Sequence, residues 1–154
     1  MANTDPRDLI IDNLVAAFAA MTTAGGYNFT VGEAKRGRQD VEQIPSSSFP
    51  AVYVVGADED RINVTNSGYK STMTITVIGY IKHTDAQDTP EIERSVSKLI
   101  QDMYKAASSD TTRDSNATFT NMGTSIETDH GILAPYGVVL MTLTVEYRAT
   151  FAAP

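Results

Sequence analysis

The 154-residue chain has no cysteine. Disulfide cross-links, thiol catalysis and thiolate metal sites are thereby ruled out. Histidine is nearly as scarce, with His83 and His130 the only two. Each stands in a polar turn near an aspartate, His83 by Asp85 and His130 by Asp129. A His–Asp pair serving a hydroxyl nucleophile is the obvious enzyme hypothesis, but no G-x-S-x-G nucleophile elbow occurs. The chain also lacks a G-x-x-x-x-G-K-[ST] phosphate loop and a G-x-G-x-x-G run after a strand. A zinc site would need both histidines together with carboxylates, and the wide spacing of the two histidines in the chain gives it no support. Basic residues are few, 12 against 19 acidic, for a formal charge of -7. A general nucleic-acid surface would be basic overall, so only a local basic patch is left open. No apolar run approaches the length that spans a bilayer, so no membrane partner is expected. The opening MANTDPRDL is polar and acidic, with no basic region before an apolar core, and is not read as a signal peptide. Without such a signal, the sequons at Asn28, Asn63 and Asn116 read as chance products of a threonine-rich chain.

What the chain does have is alternation. With 42% hydrophobic residues over this length it suffices for one domain, residues 1–154, with a real core. Across residues 69–82, Tyr69, Met73, Ile75, Val77 and Ile81 share one face, and Lys70, Thr72, Thr74 and Thr76 the other. Period two over this length predicts an antiparallel strand with one face on a core. Ile78 and Tyr80 interrupt the polar face, which points to a partner chain at that end. A second clean alternation covers 138–151, with Val139, Met141, Leu143, Val145, Tyr147 and Phe151 inward. Residues 51–56 form a short apolar strand. Residues 117–128 alternate less clearly, because Phe119 stands opposite the threonines. Residues 27–36 read as an imperfect strand through Tyr27, Phe29 and Val31.

Two helices complete the pattern. Over 5–22, Asp5 is placed to cap, Pro6 to start, and Leu9, Ile10, Leu14, Val15, Phe18 and Met21 to form an apolar stripe. Over 90–105, Thr89 and Pro90 repeat the device, followed by Ile92, Val96, Leu99, Ile100, Met103 and Tyr104. The fold class is therefore α+β, a mostly antiparallel sheet with two main helices packed on one face. Residues 39–50 read as a loop, 57–68 as a hairpin arm or long connection between 51–56 and the Tyr69 strand, and 106–117 as a connection ordered only against a neighbour. The acidic triplet Asp58, Glu59, Asp60 lacks the spaced oxygens of a calcium loop. Lys35, Arg36 and Arg38 form the only tight basic cluster, either a solvated loop or a docking point for an acidic surface or DNA phosphate. No aromatics interleave with it, so the stacking signature of single-strand binding is missing.

In layout the chain resembles the tail terminator, or tail completion, proteins of long-tailed bacteriophages. The marks are the DPRDLIIDNLVAAF helix, the basic loop before SSSFPAVYVV, a long strand ending VIGYIK, the IERSVSKLIQDMY helix and the closing GVVLMTLTVEY strand. The resemblance spans nearly the whole chain and involves no catalytic motif. It implies a homo-oligomer, a hexameric ring that caps the tail tube protein, stops its polymerisation and meets a head-side connector or stopper. DNA would pass through the hole without sequence-specific binding. An acidic chain fits a channel that does not retain DNA. The implied location is the head-proximal end of the virion tail, after assembly in the host cytoplasm. Neither an enzymatic role, nor a cofactor, nor a metal is expected. Candidate assembly residues are Lys35, Arg36, Arg38, Ile78 and Tyr80. Another neck or connector protein, or a small monomeric ligand-binding module, are the alternatives.

Overall fold

The computed structural model describes residues 5–150. Phe151 and the tail 152–154, which the alternation assigns to the last strand and its end, lie outside the described residues. Helix α1 runs Pro6–Ala19. Asp5 caps it by accepting from the Arg7 N–H at 3.1 Å. Ile10, Ile11, Leu14 and Phe18 form the buried stripe. The helix stops three residues before the expected Thr22, because that threonine belongs to the next turn: its carbonyl accepts from Tyr27 and its hydroxyl from Gly25. β-branched threonine favours such an exit over another helical turn.

The strand expected over 27–36 is reduced to β1, Glu33–Arg36. The preceding residues find their backbone partners elsewhere. Asp102, 2% exposed on the second helix, accepts from the Asn28 N–H and the Phe29 N–H, each at 2.9 Å. One buried carboxylate thus does for this segment what a neighbouring strand would have done.

Strands β2, Ala51–Thr65, and β3, Gly68–Lys82, form one long hairpin. Residues 57–65, expected as a hairpin arm or a long connection, form the arm, continuing β2 after a bulge between Val54 and Gly56. Helix α2, Thr89–Ser108, is capped by Asp88, one residue earlier than expected. It continues past Lys105 because Ala106 and Ala107 are buried. Strands β4, Phe119–Thr128, and β5, Tyr136–Thr150, close the sheet. The order is β1-β2-β3-β5-β4, antiparallel except for the parallel β1–β2 pair. The β3–β5 ladder runs unbroken from Gly68↔Thr150 to Lys82↔Tyr136.

Both helices lie on one face, α1 against β1 and β2, α2 against β3, β4 and β5. Val52, Val54, Met73, Ile75, Val77, Met141, Leu143 and Val145 meet them in the main core. The contact under α2 is close enough to need glycine. A Cβ on Gly79 would lie 2.6 Å from the Met103 sulfur, and one on Gly137 2.4 Å from Val96. The 109–118 connection is ordered by its own chain, contrary to expectation. Arg113, wholly buried, donates to the Ala107 carbonyl at the end of α2, and the Thr120 hydroxyl donates to the Thr111 carbonyl at 2.8 Å. A guanidinium at a helix C-terminus is also favoured by the helix dipole.

Candidate functional site

The acidic triplet is split by the strand that carries it. Alternation along β2 sends Glu59 to the helix face and Asp58 and Asp60 to the other, so the three carboxylates do not converge. Glu59 is 9% exposed and lies among cations and a phenol. Arg7 from α1 reaches it at 3.0 Å, the Tyr147 hydroxyl from β5 donates at 2.8 Å, and Arg61 is a third partner. Burial alone would raise the Glu59 carboxyl. The hydrogen bonds from Arg61, Tyr147 and Arg7 outweigh it and hold the group at about 2. Burial and the bond to Glu59 push the Tyr147 phenol up. Arg61 also stacks on the Tyr69 ring at 4.6 Å. This network pins α1 to the middle of the hairpin.

The basic cluster is largely consumed within the chain. Lys35 pairs with Glu33 at 2.6 Å. Arg36 pairs with Asp8 at 2.9 Å and Asp12 at 3.1 Å, fastening the edge strand to α1. Arg38 is exposed just beyond Gly37 and makes no ion pair among the described residues. Only Arg38 is therefore presented as a free cation of the three. The exposure expected for Ile78 and Tyr80 is corrected too. Residues 41–49 fold across that end of the second face, and Tyr80 is buried with Ile44, Ala51 and Tyr53. Its ring lies 6.0 Å from that of Tyr53. Ile78 packs at the margin of the same cluster, half-buried. The apolar interruption in the threonine face marks where the chain covers itself.

Beyond that cover, nothing among the described residues lies over the second face. Thr74 stands opposite Thr144, Thr76 opposite Thr142, and Lys70 bonds Glu146 at 2.8 Å. Both sheet edges, β1 and β4, are unpaired on their outer sides within the described chain. At one end the β2–β3 arm projects, with Ile62 68% and Val64 49% exposed. At the other, a cleft of about 420 Å³ opens between the start of α2 and residues 128–131. A family model described as Bacteriophage Tail Tube Terminator Protein matches residues 7–153. The chain belongs to the phage tail terminator family. No curated protein matches it.

A tail terminator is a structural component of the virion tail that associates with the tail tube, and such a role is served by surfaces. The two histidines of this terminator sit in polar turns. His83 Nδ1 lies 3.2 Å from the Asp85 N–H in a local turn, and His130 occupies a left-handed turn position at φ 55°. No nucleophile is bonded to either among the described residues. No group of three His, Asp or Glu able to hold a metal occurs among them either. Sequence reasoning missed the Glu59 network and the cleft. The signal for the first was present: Arg61 and Tyr147 alternate onto the same inward face as Glu59 once the bulge is counted.

Proposed function

We propose that this terminator forms a ring, a hexamer, on the end of the tail tube, halts further tube polymerisation and offers its outer side to the head-side connector or stopper. It acts as a single domain at the head-proximal end of the tail, after assembly in the host cytoplasm, and DNA passes its lumen without base-specific contact. The observation that carries this reading is the match to the terminator family along residues 7–153. The sheet supports it: one face is packed by helices, while the other, with two open edges, is left for neighbours. Open edges invite uncontrolled pairing unless a partner covers them, and closed cyclic symmetry covers them on every copy.

Sedimentation of the isolated chain, then electron microscopy with purified tail tubes, tests the proposal. The expected result is a six-fold ring on one tube end, formed alone or templated by the tube. A chain that stays monomeric, ignores tube ends, and is dispensable for normal tail length overturns it. The same experiment addresses the one alternative with a structural feature in its favour, a monomeric ligand-binding module using the 420 Å³ cleft.

A further inference from the structure

We propose that the tip of the β2–β3 arm seats in the cleft beside α2 of a second copy of this chain. The proposal rests on the ring reading above and specifies its contact. At the tip, Ile62 is the cross-strand partner of Lys70, and Lys70 that of Arg148, so the three share one face. Val64, next to the turn at a register irregularity between Asn63 and Thr65, is also exposed. The tip is thus an apolar pair with a basic flank. Lys70 is engaged by Glu146, whereas Arg148 is exposed and makes no ion pair among the described residues.

The cleft has the opposite character. Ile92, Val96 and Ile100 line it, and Glu93 and Asp129 supply its charge. Glu93 is exposed and has no ion-pair partner among the described residues. The volume, about 420 Å³, is ample for two branched aliphatic side chains. Ile62 and Val64 meet Ile100 and Pro90 in a lining otherwise polar, with Ile92 and Val96 at its floor, and the unpaired Arg148 and unpaired Glu93 are complementary in sign.

Tip and cleft lie at opposite ends of the molecule. The tip is at the Gly68↔Thr150 end of the β3–β5 ladder, and residues 128–131 follow the Thr128↔Val139 pair near the other end. The 15 residues of β3 separate them, roughly 45 Å at the rise of an extended strand. No chain can fill its own cleft with its own tip. The contact is therefore heterologous, each copy giving a tip and receiving one, and repetition of such a contact generates a ring when the rotation closes.

The absence of native cysteine makes the test clean. Val64 and Ser97, at the tip and in the cleft, are exposed, so Val64→Cys and Ser97→Cys leave the core untouched. Mild oxidation of the full chain carrying both, alone and with tail tubes added, is expected to give a ladder of linked copies. Either single variant gives at most a dimer. Glu93→Arg or Arg148→Glu is expected to weaken self-association by about tenfold, and the two together to restore it. Absence of the ladder while the chain still sediments as a ring overturns the tip-and-cleft contact and leaves the ring intact. Absence of both ladder and ring, with tubes present, overturns both readings. A photoreactive maleimide on the Val64→Cys chain that couples to tube protein in place of a second copy also overturns the proposal.

Discussion

At the scale of single residues the most consequential side chain is Glu59. Its carboxylate is buried and engages cations from α1 and from its own strand together with a phenol from β5. Replacement by glutamine keeps the shape and removes the charge, leaving Arg7, Arg61 and the Tyr147 hydroxyl without their anion. Both arginines are partly in water, so the expected loss is about 1–3 kcal/mol, below that of a fully buried pair. The pH dependence has a definite sign. The carboxyl is lowered from 4.5 to about 2 on folding, so its contribution is fully present above pH 4.5 and lost as pH falls toward 2. Urea unfolding followed from pH 6 down to about 2 should therefore show a shallower acid loss for Glu59→Gln than for the parent. Equal slopes would remove Glu59 from the account of acid stability.

At the scale of elements, α2 and the two glycines beneath it, Gly79 in β3 and Gly137 in β5, decide how the helical layer sits. Gly137→Val places a branched side chain where a Cβ already meets Val96 at 2.4 Å and Ile81 at 2.8 Å. The helix must lift, and a cost of about 1–3 kcal/mol in thermal or urea unfolding is expected. Asp102→Ala tests a different joint. Amide exchange at Asn28 and Phe29 should accelerate markedly while that of Val77 in β3 stays slow, because only the former lose their acceptor. These joints also explain how far the sequence could be read. The long strands and both helices were legible because their apolar periodicity is strong: Met73 to Val77 and Val139 to Tyr147 alternate without a break. The 27–32 segment was not, because its partner is a carboxylate some seventy positions away. For 57–65 the polar residues left arm and connection undecided, since beyond the helices that arm has no core to face. Tyr80 was placed on the correct face, but the covering by residues 41–49 depends on a loop without periodicity. The ion pairs of Arg36 were likewise not legible, because Asp8 and Asp12 are on a separate helix.

At the scale of the whole molecule, the two faces of the sheet have different tasks. The helix face carries the main core, and its inward residues are large and apolar. The opposite face carries Thr72, Thr74, Thr76, Thr142 and Thr144, half-exposed or exposed, and nothing in the described chain covers them. Threonine keeps such a face strand-forming and moderately apolar without the desolvation cost that lysine or glutamate would impose on a partner. If the ring contact joins molecular ends, this face is free to meet the layer above or below, tube or connector. Replacing Thr74 and Thr144 with lysine separates the two tasks. These positions are directly opposite in the ladder, so paired cations there repel each other modestly, and the expected change in unfolding free energy is within about 1 kcal/mol. Docking of the same face onto a close-fitting partner must desolvate both ammonium groups, which costs several kcal/mol, roughly. The double variant is therefore expected to fold with a nearly unchanged midpoint, yet to be missing from purified tails and unable to restrain their length. Normal incorporation of the variant at equal stability would show that this face looks into solvent in the assembled particle.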